Sequence, residues 1–272
     1  MDYVDLITQV ADDAAAADGT DPLDEATRLT LRHRPETVRS WTRADGFALV
    51  VGTELSLVVA PSGRGQGTGG DLLTEALAAT PLPLSAWSHG DHPAAAALAR
   101  RTGFDRVREL WVMRRATGLP LPEVVVPHGI ELRSYEQADA AELLRVNAAA
   151  FTHHPEQGAM DAANLRERMA EPWFDPAGLL VATDGTRMLG FHWTKQHSPE
   201  LGEVYVVGID PAAQGRGLGK LLTLAGLHHL ADAGVDEILL YVESDNAPAT
   251  ATYSGLGFTH ADADTHVMYR KD

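Results

Sequence analysis

The run Gln214-Gly215-Arg216-Gly217-Leu218-Gly219-Lys220 is the part of the chain best suited to chemistry. It follows an apolar stretch, 203–209, and leads into a helical pattern, 218–233. Glycine adopts positive φ freely and lets a ligand approach the main chain. Successive N–H groups in such a turn, with a helix N-terminus behind them, make a cradle for phosphate. Arg216 and Lys220 add positive charge. Two nucleotide loops are excluded. A P-loop needs Ser or Thr after Gly-Lys, and Leu221 follows Lys220. A dinucleotide loop needs G-x-G-x-x-G, whereas Gly215, Gly217 and Gly219 alternate. On the loop alone, an ordinary glycine-rich turn stays open as the alternative.

The elements that must position this loop follow from periodicity. A short strand is expected at 129–133, then an amphipathic helix at 138–151 with Leu143, Leu144 and Val146 toward the core. Segments 179–182 and 188–195 read as a hairpin about Asp184-Gly185. His192 and Trp193 are adjacent there, so alternation sends one to the core and the other toward a pocket. A strand at 203–209, a helix at 218–233 stopped by Gly234, a strand at 237–242, a helix at 248–256 and a strand at 265–270 complete the half. Hairpins mixed with strand–helix–strand crossovers imply an α/β fold, a mixed central sheet flanked by helices.

The same pattern occurs twice. Residues 54–73, ELSLVVAPSGRGQGTGGDLL, align with 203–222, EVYVVGIDPAAQGRGLGKLL. Pro61 matches Pro211, Arg64 matches Gln214, Gly67 matches Gly217 and Gly69 matches Gly219. Downstream, Gly103-Phe104 matches Gly257-Phe258, and both copies finish on Val-Met, at 112–113 and 267–268. A long-period repeat of this kind is a duplicated domain. Segment 117–128, TGLPLPEVVVPH, carries three prolines and cannot be a helix interior. The expected organisation is an N-terminal domain over 1–116, a linker over 117–128 and a C-terminal domain over 129–272. The first copy looks short between Trp41 and Glu54, with little chain for a full hairpin.

The Q/R-x-x-G-x-G/A loop after EVYVVGIDP, together with the later SDNAPATATYSGLGF (244–258), resembles the GNAT acetyltransferase superfamily. The resemblance implies two tandem GNAT folds and an acetyl-CoA site. Its loop would hold the pyrophosphate, and the helix after Asn246 would lie beside the CoA arm. Acetyl transfer to an amine needs a base for the ammonium, a donor for the developing oxyanion and an acid for the leaving thiolate. Glu203 stands where a GNAT base commonly does, and Tyr253 where the acid does. The plainer alternatives are a solvated strand end for Glu203 and a core aromatic for Tyr253. Acetyl-CoA contacts would fall on Val207, Gly208 and Ile209, on Gln214, Gly215, Arg216, Gly217, Leu218, Gly219 and Lys220, and on Asn246, Ala247, Pro248, Ala249, Thr250 and Ala251. The first copy keeps the loop after Leu57, Val58 and Val59. It has Leu98 or Ala99 in place of the tyrosine, so it is expected to be degenerate, able to bind CoA and unable to transfer acetyl.

The tandem copies, with GFHWTK (190–195), GEVYVVGIDPAAQGRGLGKLL (202–222) and LLYVESDNAPA (239–249), resemble the mycothiol synthase family. That resemblance implies N-acetylation of the cysteine amine of cysteinyl-glucosaminyl-inositol. Glu203 would also bind this substrate, with Glu156, Lys195 and Tyr241 toward the sugar and inositol and Glu25 reaching it from the first copy. Exposed carboxylates at Glu25 and Glu156, a solvated strand end at Lys195 and a packed aromatic at Tyr241 are the alternatives. Another GNAT enzyme, or a CoA-binding sensor without turnover, stays open.

Composition narrows the rest. A formal net charge of −16 disfavours nucleic acid and anionic membrane, and favours a small amine substrate. With no cysteine there is no thiolate site. The acidic start, MDYVDLITQVADD, does not read as a signal peptide, and no run of about 18 apolar residues exists. The pairs His153-His154 and His228-His229 lack metal-ligand spacing, so no metal is expected. The expected protein is cytoplasmic and monomeric.

Overall fold

The computed structural model describes residues 3–152 and 155–272, without the side chains of Pro155 and Glu156. The chain forms two compact units. The first is Met1–Trp111 with Glu243–Asp245 and Ala261–Asp272, and the second is Val112–Val242 with Asn246–His260.

In the first unit, α1 (Tyr3–Asp18) buries Ile7, Val10, Ala11 and Ala14, a one-sided helical spacing. The helix α2 (Glu25–His33) starts at Asp24, whose side chain accepts from Thr27 N–H. Strands β1 (Arg39–Arg43), β2 (Gly46–Val51) and β3 (Glu54–Val59) pair antiparallel in succession. The expected shortage of chain between Trp41 and Glu54 is therefore corrected. Two-residue turns, at 44–45 and 52–53, close both hairpins, and Gly52 at φ 59° supplies the left-handed step of the second. A crossover through α3 (Thr68–Ala79) brings β4 (Leu84–Ser88) parallel to β3. Then follow α4 (Pro93–Thr102) and β5 (Asp105–Ala116). Leu72, Leu73, Ala76, Leu84 and Phe104 pack into the core beneath.

The second unit takes the end of β5, from Val112. Segment 117–128 carries neither helix nor strand, as its prolines require. Then come β6 (Glu131–Ser134), α5 (Ala140–Ala150), α6 (Pro155–Gly158), α7 (Ala162–Met169), β7 (Leu179–Thr183), β8 (Met188–Gln196), β9 (Leu201–Ile209), α8 (Leu218–Asp232), β10 (Glu237–Glu243) and α9 (Ala247–Gly255). The sheet runs β6, β7, β8, β9 antiparallel, and then β10 parallel to β9 across α8. Strand β8 is buried on both faces. His192 and Trp193 are both fully buried, contrary to the expectation that one of them faces a pocket. Each face has its own cover. His192 Nδ1 meets the Leu222 carbonyl of α8 at 2.8 Å, and Trp193 lies among Trp173, Phe174 and Tyr205.

The last strand, β11 (Thr259–Lys271), pairs antiparallel with β4, from Val267↔Ser88 to Lys271↔Leu84. The two Val-Met endings of the repeat thus lie in opposite units: Val112-Met113 belongs to the second and Val267-Met268 to the first. The contiguous ranges 1–116 and 129–272 describe the repeat in sequence, and the compact units differ from them at these strands.

Candidate active site

The glycine loop of the second unit is built by its backbone. Pro211–Ala213 makes one 3-10 turn, and Asp210 caps it by accepting from Ala212 N–H at 2.9 Å. Asp210 is pinned by Arg145 Nη1 of α5 at 2.7 Å and by Arg187 Nη2 at 3.2 Å. The Arg145 hydrogen bond, first among these contacts, holds its carboxyl below the usual carboxylate range. Gly215 and Gly217 then take φ 77° and 75°, with open space beside both. Here φ alone demands glycine. The turn feeds the N-terminus of α8, with Arg216 and Lys220 exposed. Gln214 and Gly215 are exposed beside them, Gly219 is half-buried, and Leu218 anchors the helix in the core with Leu189, Ala213 and Leu221. Exposed N–H groups, a helix N-terminus and two cations suit a diphosphate.

Upstream of the loop the strands part. Pairs between β9 and β10 run from Glu237↔Leu201 to Leu240↔Val204. Past that register β9 continues to Ile209 and β10 to Glu243. On its other edge β9 stays paired to β8, through His192↔Val207, Phe191↔Gly208 and Gly190↔Ile209. The β10-side backbone of Val207–Ile209 lies beyond the registered pairs, where an extended amide-bearing arm can pair with it. Gly208 is needed here because a Cβ would come within 2.6 Å of the Phe191 ring.

Glu203 stands on β9 directly opposite Lys195 on β8, so both side chains share one face. The Glu203 side chain is only 7% exposed, yet it is a carboxylate. His197 Nε2 lies 2.6 Å from its Oε2. A register shift after Trp193 leaves Tyr205 as an extra residue, since Trp193 pairs with Val206 and Thr194 with Val204. Tyr205, two residues from Glu203, lies on the Lys195 face by alternation, and the bulge keeps Val206 there beside it. Lys195 Nζ lies 4.7 Å from the Trp173 ring centre and 5.2 Å from that of Tyr205. Arg168 Nη1 of α7 donates to Tyr205 Oη at 2.7 Å. The aromatic rings hold an ammonium by their negative faces and leave little freedom to its stem.

Tyr253 lies on α9. Asn246 caps that helix through Ala249 N–H at 3.3 Å, and Pro248 occupies its first turn. Ala247, Ala249 and Thr250 form the first two turns, where Thr250 Oγ1 donates to the Ala247 carbonyl at 3.0 Å, and Ala251 is exposed. The Tyr253 ring packs on Phe258 with centroids 6.0 Å apart. Burial raises its phenol above the ordinary value, so it stays protonated at neutral pH. Arg115, 1% exposed, fixes the far end of α9 by donating from Nε to the Leu256 carbonyl at 2.8 Å. Its other nitrogens reach the carbonyls of Ala116 (3.1 Å), Leu119 (2.6 Å) and Pro120 (3.2 Å).

Glu203, Lys195, Val207–Ile209, the glycine loop and α9 with Tyr253 all belong to the second unit. Tyr241, 42% exposed on β10 in the same unit, lies just past the last registered β9–β10 pair. Glu25 belongs to the first unit, in the opening turn of α2. The side chain of Glu156 and the pair His153-His154 lie outside the described residues. Among the described residues no cluster of three or more metal-ligating side chains occurs. His228 Nε2 contacts the Pro122 carbonyl, and His229 Nε2 lies 3.3 Å from Asp175. No described helix is long and apolar enough to cross a membrane.

The first unit repeats the loop, with Gly65 and Gly67 at φ 76° and 96°. A cavity of about 610 Å³ lies along it, lined by Leu57, Val58 and Val59 and by Leu98 and Ala99, the positions matched to Tyr253. Arg64, matched to Gln214, makes a two-pronged pair with Asp18 at 2.7 Å. Sequence reasoning missed His197, Trp173 and Arg115. The available signal for His197 was its place two residues beyond Lys195, in the short turn leading back to Glu203.

Comparison with known proteins agrees with this geometry. The model of the acetyltransferase (GNAT) family matches residues 142–258. The chain is 64% identical to a mycothiol acetyltransferase of Nocardioides sp., over 99% of this chain and 98% of that one. It is 50% identical to a mycothiol acetyltransferase of Nocardia farcinica, over 96% and 92% of the two chains. Among solved structures, a tandem GNAT protein from the clavulanic acid biosynthesis pathway superposes with a TM-score of 0.71 at 19% identity, covering 98% of this chain and 94% of that one; this likeness speaks to the fold. With its duplicated glycine loop, its parted strands and relatives this similar along its whole length, the chain belongs to the mycothiol acetyltransferase family of GNAT proteins.

Proposed function

We propose that the protein transfers the acetyl group of acetyl-CoA to the cysteine amine of cysteinyl-glucosaminyl-inositol, giving mycothiol. The observation that carries this reading is the buried carboxylate of Glu203 opposite Lys195, at the end of the β9–β10 register that leads to the glycine loop.

Each role follows from position. The N–H groups about Gly215–Gly219, with Arg216 and Lys220, hold the diphosphate of acetyl-CoA, and the backbone of Val207–Ile209 binds its pantetheine arm and polarises the thioester carbonyl. Residues Asn246–Ala251 flank that arm. Glu203 takes the proton of the substrate ammonium, whose ordinary pKa of about 7.7–8.0 asks only for a modest base. Tyr253, protonated at neutral pH, gives its proton to the sulfur. Lys195 and Tyr241 hydrogen-bond the hydroxyl-rich part of the substrate. Glu25 and Glu156 are assigned to it by family resemblance. The cavity of the first unit holds a CoA-type ligand without turnover, since Leu98 and Ala99 cannot donate a proton. The protein works as a cytoplasmic monomer on a small molecule, without metal.

Mass spectrometry of products tests the substrate. Purified protein with acetyl-CoA is offered cysteinyl-glucosaminyl-inositol, free cysteine, glucosamine and an aminoglycoside. A gain of one acetyl on the first alone is expected. Equal or greater gain on the aminoglycoside overturns the substrate.

A further inference from the structure

We infer that His197 is the proton exit of the active site, carrying to water the proton that Glu203 takes from the substrate. This rests on the reading of Glu203 as base and goes beyond it by assigning the next step.

The reaction itself requires an exit. On going from ammonium to amide the nitrogen sheds two protons. The C–N bond forms, the C–S bond breaks, and one proton ends on the sulfur by way of Tyr253. The other must reach solvent in every turnover. Glu203 cannot deliver it directly, because its side chain is 7% exposed. His197 bridges this gap. Its Nε2 is 2.6 Å from Glu203 Oε2, while its side chain is 33% exposed. The ring is thus partly open to solvent, and a proton taken up at Nε2 can be lost from Nδ1. An imidazole can accept at one nitrogen and release at the other, which a carboxylate or amide in its place does not do at neutral pH.

The local fold sets this geometry. The turn between β8 and β9 is closed by His197 N–H donating to the Leu201 carbonyl at 2.8 Å and Ser198 N–H at 3.3 Å. Ser198 Oγ also accepts from Glu200 and Leu201 N–H, both at 3.2 Å. A turn braced in this way returns the chain so that residues six apart meet. His197 acts through Glu203, and its contribution is distinct from that of an ordinary ion pair, which would need only a donor.

Steady-state kinetics with chemical rescue tests the assignment. His197→Ala is expected to lower kcat about 10- to 100-fold, with the KM for acetyl-CoA within about two-fold of wild type, and added imidazole is expected to restore kcat in proportion to its concentration. His197→Gln keeps a donor toward Glu203 and is expected to show the same loss, which carries the test if the alanine variant melts early. Wild-type kcat in His197→Gln, or a folded His197→Ala that imidazole fails to rescue, overturns the proton exit while Glu203→Gln remains inactive. A fully active Glu203→Gln overturns the base and the exit together.

Discussion

Lys195 and Glu203 face one another across the β8–β9 ladder, and the ammonium of Lys195 is held against Trp173 and Tyr205. The pair puts a positive and a negative group on one sheet face at the mouth of the parted strands. Such a face suits a substrate that brings both a free amine and many hydroxyls. In the proposed reading the amine goes to the carboxylate, and the hydroxyls meet the Lys195 ammonium held against Trp173 and Tyr205.

Lys195→Met should therefore weaken substrate binding more than turnover. Loss of hydrogen bonds from a charged donor costs about 1.5–3 kcal/mol, or roughly 10- to 100-fold in the KM of the pseudodisaccharide. The KM for acetyl-CoA should stay unchanged. Initial rates with each substrate varied in turn check this. An unchanged pseudodisaccharide KM would remove Lys195 from the binding site.

Arg115→Met should lower the melting temperature by at least about 5 °C. The substitution removes the donor from the carbonyls of Leu256, Leu119 and Pro120, whereas the Ala116 carbonyl still accepts from Leu119 N–H. The Leu256 bond is buried and the others are part-buried; a buried group left unsatisfied costs about 1–3 kcal/mol, and 1 kcal/mol is worth roughly 2–4 °C in a domain of this size. Arg115→Lys should recover only part, since an ammonium cannot present the planar fork. Thermal unfolding followed by circular dichroism reads the difference.

His192 makes the fold sensitive to acid. Burial holds its pKa down to about 4, from an ordinary 6.5. The Leu222 carbonyl can only accept, so Nδ1 carries the proton of the neutral ring, and Nε2 is buried without a partner among the described residues. The unfolded chain binds a proton at His192 first. Stability is intact above pH about 6.5 and falls as pH drops toward 4, by roughly 3 kcal/mol for this group. Denaturant unfolding at several pH values should show that slope in wild type. His192→Gln should flatten it, and an equal slope in both would refute the assignment.

Gly215→Val tests the cradle. A β-branched residue at φ 77° is strained by about 1–3 kcal/mol. Relieving the strain moves the loop N–H groups that are proposed to hold the diphosphate. The KM for acetyl-CoA should rise about 10-fold or more, whereas the KM of the amine should hold. Unaltered kinetics would show that the loop does not bind the cofactor.

Much of the second unit was legible because its signals are local. Gly215 and Gly217 are required by φ, Gly234 ends α8 at φ 88°, and Asp184-Gly185 turns the β7–β8 hairpin. The repeat pointed to the same loop in the first unit for the same reason. What escaped was non-local. An apolar strand pattern does not say which sheet edge it joins, so the placing of β11 beside β4 was invisible. Alternation failed at His192 and Trp193 because helix and aromatic cover bury both faces of β8. The stretch between Trp41 and Glu54 misled because two-residue turns consume so little chain. His197 escaped because its partner Glu203 is met only when the turn folds back.

The central claim is that Glu203 and Tyr253 carry acetyl transfer to the cysteine amine of cysteinyl-glucosaminyl-inositol. Single-turnover rates on that compound, with saturating acetyl-CoA, test it most directly in wild type, Glu203→Gln and Tyr253→Phe. Loss of a positioned base or acid costs about 10²- to 10⁴-fold. The account predicts a fall of that size in both variants, with acetyl-CoA still bound. Wild-type rates in either variant would contradict it.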